Sequence, residues 1–122
     1  MANGADVKAR PSGPAGQAGA QAATGHWRLT VDAEGIAWLA LDRADSAANT
    51  LSEAVLAELD ERLTEAEQAA PAGLVIHSAK PSGFIAGADV TEFTGLTDER
   101  TAYDRVKRGQ AIMDRIAALA FP

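Results

Sequence analysis

Two short apolar runs separated by one amphipathic segment constrain the fold of this chain most. The first run, residues 36–41, is almost continuously apolar, which is typical of a strand covered on both faces. The segment between the runs has apolar residues at the period of a helix with one buried face: Val55, Leu59, Leu63 and Ala66. The second run, residues 74–76, predicts a short buried strand. Because two parallel strands need a crossover, the three segments predict a βαβ unit and an α/β fold.

A hairpin is predicted in front of this unit. Residues 27, 29 and 31 are apolar and alternate with polar residues, which is the period of a half-buried strand. The turn at residues 32–35 ends on Gly35, which can adopt a positive φ. Trp27, Trp38 and Phe84 are interpreted as core residues rather than as a stacking platform for bases, because no basic groove accompanies them.

Signals for helix ends follow along the chain. Thr50 and Glu53 match a capping box, so the first helix is predicted to begin there, and Pro71 and Gly73 end it. A second, longer helix is predicted after a cap at Thr97 or Asp98. Asp104 and Arg108 have the spacing of an i,i+4 ion pair on this helix. Its predicted apolar stripe consists of Tyr103, Val106, Ile112 or Met113, Ile116 and Leu119.

The chain is expected to divide into a leader and one truncated domain. Residues 1–25 hold five of the eleven glycines and, among large apolar residues, only Met1 and Val7. They cannot bury enough surface to offset the entropy of ordering, so a disordered Ala/Gly-rich leader is predicted. Residues 26–122 are expected to be the N-terminal part of a larger domain. The reason is that Pro122 pushes the residue before it out of the helical region, where a new strand should start.

Charge and composition exclude several classes of function. Eleven Lys and Arg against seventeen Asp and Glu give a net charge of −6, opposite to the basic surface of a nucleic-acid-binding protein. The absence of cysteine excludes thiol nucleophiles and thiolate metal sites, and it fits a cytoplasmic location. His26 and His77 stand apart from other candidate ligands, so no metal site is predicted. No membrane span is expected, because the apolar runs fall far short of roughly 20 residues.

The segment from Gly83 to Asp89 is the most informative for chemistry. Its small residues let a ligand approach the main chain, whose exposed N–H groups can stabilise an oxyanion. A tight strand-to-helix turn explains the same composition. The stretch from Phe84 is expected to be extended and to break at Gly87. Asp89 and Glu92 lie three residues apart, which would place two carboxylates on one helical face or let them complement a helix N-terminus.

Four segments together resemble the enoyl-CoA hydratase/isomerase (crotonase) family. They are residues 35–43, 48–52, 73–76 and 82–93, in the order and spacing of the family, and the last contains F-x-A-G-A-D-x-x-E-F. The resemblance is strongest to the multifunctional fatty-acid oxidation members, in which a hydratase region is fused to a 3-hydroxyacyl-CoA dehydrogenase. It implies a crotonase-like ββα spiral, of which this chain holds the N-terminal portion only.

The resemblance also implies site residues. In the family, two main-chain N–H groups polarise the thioester carbonyl, and the first of them matches Ala88, just before the Asp of A-G-A-D. The implied substrate-binding residues are Ser46, Ala47 and Ala48 near the adenine end of coenzyme A, and Ala86, Gly87 and Asp89 along the thioester. Ala44 departs from the proline that the family often has, and acidic Asp45 follows where a base could meet a CoA phosphate.

The resemblance implies an activity for the full-length protein, which would hydrate trans-2-enoyl-CoA to 3-hydroxyacyl-CoA in fatty-acid β-oxidation. The second N–H donor and two glutamates of the family are expected beyond residue 122, so this chain alone should be inactive. Acyl-CoA double-bond isomerisation is the alternative within the family, and a non-catalytic acyl-CoA-binding or assembly module is the alternative outside it.

Cofactors and partners follow from the same resemblance. The hydratase step needs no cofactor, and NAD is expected only if a dehydrogenase region follows. The expected partners are the acyl-CoA substrate and either further copies in a homo-oligomer or a thiolase subunit.

Overall fold

A computed structural model describes residues 25–122, which form two small sheets and two helices. The elements in chain order are β1 (Trp27–Val31), β2 (Ile36–Leu41), β3 (Thr50–Leu51), α1 (Glu53–Ala69), β4 (Gly73–Ser78), β5 (Gly87–Ala88), a 3₁₀ helix (Val90–Phe93) and α2 (Glu99–Ala117). Apart from Gly25, the predicted leader lies outside the described residues. Within 25–122, neither helix is long and apolar enough to cross a membrane.

The larger sheet has the strand order β1-β2-β4 and confirms the predicted hairpin and βαβ unit. β2 pairs antiparallel with β1 and parallel with β4. The hairpin turns at Gly35, whose φ of 84° is the positive value that the sequence indicates. β4 is longer and less buried than predicted, since Val75 is 37% exposed. The reason is that α1 covers only one face of this sheet, and Val75 shares the opposite face with its register neighbour Trp38.

The core lies between α1 and the other face of the sheet. It is built from six buried residues: Trp27, Leu39, Leu41, Val55, Leu59 and Leu63. The predicted apolar stripe of α1 is therefore confirmed, and its fourth member, Ala66, is also buried. The indole Nε1–H of Trp27 donates to the carbonyl of Val55 at 2.9 Å, so its one polar group is satisfied inside the core.

Trp38 and Phe84, the other two aromatic residues predicted to be in the core, are less buried than Trp27. Trp38 lies on the far face of the sheet, partly buried, where it meets His77 edge to face at 5.7 Å. Burial lowers the pKa of His77. Phe84 is 55% exposed, so its assignment to the core was wrong. It lies in the loop after β4, between that strand and β5.

The start of α1 differs from the predicted capping box. Ser52 is the N-cap, and its Oγ accepts from the N–H of Val55 at 3.1 Å. Thr50 cannot take this role because its backbone pairs in β3 with Gly87 and its hydroxyl accepts from Arg43. Glu53 is instead the first residue of the helix. A tertiary pairing thus overrides the local capping signal.

α2 begins as predicted, because the Asp98 carboxylate accepts from the N–H of Arg100 at 3.1 Å. Its predicted apolar stripe is only partly correct. The residues of the stripe that pack against the core are Ile112, Ile116 and Leu119, whereas Tyr103, Val106 and Met113 are exposed. The predicted Asp104–Arg108 pair does not form, since Arg108 reaches Glu53 on α1 and Asp104 accepts from Arg100 at 3.3 Å.

The chain leaves the helical conformation after α2, as the proline signal predicts. The carbonyl of Pro122 accepts from the N–H of Leu74 at 2.8 Å. This hydrogen bond places Pro122 along the edge of β4, the strand whose other side pairs with β2.

Candidate functional site

Two loops meet where the parallel strands β2 and β4 end. The first, residues 42–49, follows β2, and the second, residues 79–86, follows β4. The carboxyl ends of neighbouring parallel strands lie at the same edge of a sheet, so the two loops are brought side by side. β3 and β5 then continue from these loops as a two-stranded parallel sheet. The candidate site residues of the sequence all lie on these loops or on β5 and its flanks.

The loop of Ser46, Ala47 and Ala48 is held to the second loop by side-chain hydrogen bonds. The Ser46 hydroxyl donates to the carbonyl of Ala48 at 2.7 Å, which fixes the local turn. The Ser82 hydroxyl donates to the carbonyl of Ala47 at 2.9 Å and joins the two loops. The structure thus brings the predicted adenine-end residues next to the glycine-rich segment that the sequence also singles out.

The strand containing Ala88 is held by two backbone hydrogen bonds on its β3 side. The N–H of Ala86 donates to the carbonyl of Asn49 at 2.7 Å, and the N–H of Asp89 donates to the carbonyl of Leu51 at 3.0 Å. Successive amides of an extended chain point to opposite edges, so the N–H of Ala88, next to that of Asp89, is directed away from β3. The positive φ of Gly87 breaks the alternation between Ala86 and Ala88. Ala88 is also exposed. A group on that open side can therefore meet the Ala88 amide directly.

Gly87 has a φ of 131°, a value that side chains disfavour. The sequence predicts that the extended stretch breaks there, but the structure shows that β5 begins at this residue and pairs with Thr50. A Cβ at Gly87 would meet no atom within 4 Å, so the need for glycine is one of backbone conformation rather than of space.

Asp89 is partly buried beside Arg43. A carboxylate oxygen of Asp89 lies 2.8 Å from Nη1 of Arg43, which links the first loop to the end of β5 by an ion pair. Its other oxygen accepts from the N–H of Thr91 at 3.1 Å and caps the 3₁₀ helix. Hydrogen bonding from Thr91, together with Arg43, holds the pKa of Asp89 below its ordinary value. Asp89 is therefore charged and engaged at neutral pH.

Glu92 does not form a carboxylate pair with Asp89. Its carboxylate accepts from the N–H of Glu53 at 2.9 Å, at the N-terminus of α1, and lies 3.8 Å from Arg105. The interpretation that both acids complement helix N-termini is thus confirmed, although the two helices differ. Both carboxylates are therefore hydrogen-bonded at helix N-termini and do not face each other as a pair.

Sequence reasoning gave no role to Asn49, which is the most connected side chain between the loops. Asn49 is 2% exposed. Its Nδ2 lies within 3.2 Å of three oxygens, those of the Leu41 carbonyl, the Ser78 hydroxyl and the Phe84 carbonyl. Its Oδ1 accepts from the N–H of Arg43 at 2.9 Å. In the sequence, Asn49 belongs to the family segment 48–52 and lies just before a predicted helix, but neither signal identifies its partners, which are as many as 35 residues away.

A cleft of about 300 Å³ opens beside the first loop. Charged and imidazole groups on its wall are Arg28, Arg43 and Lys80, opposed by Asp42 and Asp45, with His26 beside them. Lys80 lies 2.7 Å from Asp42 and Arg43 is paired with Asp89, so two of these three bases are already paired. Residues 86–89 do not line the cleft. Across residues 25–122, three or more His, Asp or Glu side chains nowhere cluster as a metal site.

Relatives of known sequence and structure resemble this chain. The fatty acid oxidation complex subunit alpha of Vibrio parahaemolyticus is 36% identical over 95 residues, 77% of this chain and 14% of that protein. The same subunit of Aliivibrio fischeri is 38% identical over 100 residues, 80% of this chain and 15% of that protein. The crystal structure of an enoyl-CoA hydratase from Mycobacterium smegmatis matches with a TM-score of 0.70 and 28% identity, over 80% of this chain and 37% of that one.

The chain belongs to the enoyl-CoA hydratase/isomerase (crotonase) family. No family model matches it. The crotonase fold that the four sequence segments imply is confirmed by the solved hydratase. The chain spans about one seventh of the length of the curated relatives, since the match covers 14% of the Vibrio parahaemolyticus protein.

Proposed function

We propose that this crotonase chain supplies one half of an acyl-CoA site, in which the main-chain N–H of Ala88 donates to the thioester oxygen of the substrate. The observation that carries the proposal is the direction of that amide. Its neighbour Asp89 is hydrogen-bonded to β3, so the Ala88 amide is aimed at the open side of β5. A preorganised backbone donor of this kind stabilises an oxyanion without reorganising as charge develops.

The full-length protein is proposed to hydrate trans-2-enoyl-CoA to 3-hydroxyacyl-CoA. Water adds its oxygen to the β carbon, negative charge collects on the thioester oxygen as an enolate, and a proton is then delivered to the α carbon. The Ala88 N–H would bear part of that charge. The proton transfers need acid and base groups. Asp89 and Glu92 are both engaged elsewhere, so these groups are proposed to lie beyond residue 122.

The rest of the coenzyme A thioester is proposed to bind along the two loops. Ser46, Ala47 and Ala48 are proposed to lie along the adenine end, and Ala86, Gly87 and Asp89 along the thioester. The hydrogen bond from Ser82 to Ala47 supports a continuous path, because it holds the two groups of residues on adjoining loops. The bases of the cleft would favour the phosphates, whereas Asp45 would oppose them.

A second candidate is a non-catalytic acyl-CoA-binding or assembly module. It is favoured by the engagement of both carboxylates next to Ala88, because binding to a backbone N–H needs no acid or base. Double-bond isomerisation uses the same oxyanion and remains the alternative reaction within the family.

The further domain, cofactor, partners and location of the full-length protein are also part of the proposal. Relatives named as subunits of a fatty acid oxidation complex support a multifunctional enzyme with a 3-hydroxyacyl-CoA dehydrogenase region. NAD would then serve that region alone, and the hydratase step would use no cofactor. A homo-oligomer or a complex with a thiolase subunit, and a cytoplasmic location, complete the proposal.

Hydration of crotonyl-CoA, followed by loss of the enoyl-thioester absorbance, tests the reaction. A protein extended through the coding sequence beyond residue 122 is expected to turn over, and the 122-residue chain is expected to be inactive. A folded extended protein that leaves the absorbance unchanged would reject hydration. Turnover by the 122-residue chain would show that the missing acid and base groups are not needed.

A further inference from the structure

We infer that Asn49 is a positioning residue, whose side chain fixes the main chain that carries the Ala88 amide. The inference rests on the proposed function, because that function gives the Ala88 amide its role. Asn49 itself is buried and its described partners are protein groups, so it acts through the backbone of the two loops.

One carboxamide joins the ends of two strands and the loops that follow them. Nδ2 of Asn49 lies 3.1 Å from the carbonyl oxygen of Leu41, at the end of β2, and 2.9 Å from the hydroxyl oxygen of Ser78, at the end of β4. The same nitrogen lies 3.2 Å from the carbonyl oxygen of Phe84 in the second loop. Oδ1 accepts from the N–H of Arg43 in the first loop. The side chain therefore sets the separation of the loops.

The backbone of Asn49 continues the same link toward Ala88. Its carbonyl accepts from the N–H of Ala86, two residues before the proposed donor, at 2.7 Å. Phe84, held by the side chain, lies two residues before Ala86. Asn49 thus binds the segment leading to Ala88 at two residues, Phe84 and Ala86. A shift of Asn49 would move both residues together.

A carboxamide satisfies the hydrogen-bonding groups that surround the Asn49 side chain. Its surroundings offer acceptors on one side and the N–H donor of Arg43 on the other. Aspartate would fill the same volume but would turn an oxygen toward the carbonyls of Leu41 and Phe84. Alanine would remove the donor to the Phe84 carbonyl and the acceptor for the N–H of Arg43, whereas the Leu41 carbonyl would keep the N–H of Ala79.

Amide hydrogen exchange of the ¹⁵N-labelled 122-residue chain tests the inference without any ligand. In Asn49→Ala, exchange at the amides of Ala86 and Asp89 is expected to be at least about tenfold faster than in the matched variant Gln68→Ala, since each hydrogen bond lost with the Asn49 carboxamide is worth about a factor of ten in local opening. Gln68 lies exposed on α1, so that variant removes a carboxamide without touching the loops. Amides of the β1-β2-β4 sheet should change much less than those of Ala86 and Asp89.

Asn49→Asp is a second variant that creates no cavity, so it keeps the test decisive if Asn49→Ala does not fold. It keeps the volume and the acceptor for Arg43, and it should accelerate exchange at Ala86 and Asp89 in the same selective way. Uniform acceleration across the sheet, or exchange at Ala86 and Asp89 equal to that of Gln68→Ala, would overturn the inference.

A separate arm adds butyryl-CoA, a saturated thioester that cannot be hydrated. Failure of that ligand to shift the Ala88 amide of the unsubstituted chain would count against the proposed function, while the exchange data would still decide on Asn49.

Discussion

The guanidinium of Arg43 and the carboxylate of Asp89 form an ion pair at 2.8 Å between the first loop and the residue that follows β5. The same guanidinium donates to the Thr50 hydroxyl at the start of β3. The pair therefore ties the residue after Ala88 to the loop before β3. The hydrogen bond from Thr91 and the charge of Arg43 lower the pKa of Asp89, so its carboxylate stays ionised in this contact.

Replacing Asp89 by Asn should destabilise the chain in a pH-dependent way. The pKa of Asp89 is lower in the folded chain than its ordinary value of 3.8, so its contribution to stability is present above that value and is lost as the pH falls below it. The difference in unfolding free energy between the unsubstituted chain and Asp89→Asn should thus shrink on acidification. Chemical denaturation at neutral and acidic pH measures it, with exposed Asp114→Asn as control. A difference that grows toward acid would contradict this account.

Replacing Ala88 by proline should abolish the proposed donor, because proline has no N–H. In the extended protein, kcat for crotonyl-CoA hydration is expected to fall by about 10²–10³, the cost of losing one oxyanion-hole donor. Ala33→Pro, in the exposed hairpin turn, makes the same chemical change away from the site and should retain activity. Full activity of Ala88→Pro would show that the amide of this residue is not used.

At the scale of elements, the periodic patterns predicted most of the fold, whereas the interactions between elements did not follow from the sequence. The stripe of α1 repeats at 3.6 residues, and one face of the helix is buried as predicted. On α2 the first turns meet α1 through Arg105 and Arg108 rather than through apolar side chains, so Tyr103 turns outward. Asn49 was missed for a similar reason, because its partners lie as many as 35 residues away.

The N-cap of α1 gives a prediction about Ser52. Ser52→Ala removes the acceptor for the N–H of Val55 and should lower the free energy of unfolding by about 1 kcal/mol. Thr97→Ala removes a hydroxyl beside α2 that does not cap it and should have little effect. Thermal or urea denaturation compares the two variants. Equal stability of Ser52→Ala and the unsubstituted chain would place the cap elsewhere.

The C-terminus of α1 gives a prediction of opposite sign. Ala70 has a φ of 48°, in the left-handed region, and its N–H donates to the carbonyl of Glu67. Glycine adopts this conformation without strain, so Ala70→Gly should stabilise the chain by about 0.5–1 kcal/mol. Ala57→Gly, exposed within the same helix, should destabilise it by about 1 kcal/mol. Denaturation curves that rank the two variants the other way would contradict this.

At the scale of the whole molecule, α1 connects the parts of the fold. It covers one face of the larger sheet, its N-terminus receives Glu92 from the segment after Ala88, and its outer surface binds Arg115 of α2 through Asp60 and Glu67. The fold class was predictable because local motifs occur in a fixed order. The linkage around α1 was not, because each contact joins residues far apart in the chain.

Exposed apolar side chains on α2 predict self-association of the 122-residue chain. Tyr103, Val106 and Met113 share the outward side of the helix, and clustered apolar surface promotes association. Sedimentation velocity should show a concentration-dependent rise in mass that Val106→Lys reduces. Gln68→Lys, on exposed α1 surface, adds the same charge and should leave it unchanged. A monomer at all concentrations would contradict the prediction.

The proposal that the Ala88 amide faces the substrate is tested most directly by its own NMR signal. Titration of the ¹⁵N-labelled chain with butyryl-CoA is expected to shift the Ala88 resonance most among the amides of β5, with smaller changes at Ser46, Ala47 and Ala48. Coenzyme A without an acyl group should shift the loop signals but leave Ala88 nearly unchanged. An Ala88 amide that stays in place while butyryl-CoA binds elsewhere would contradict the account.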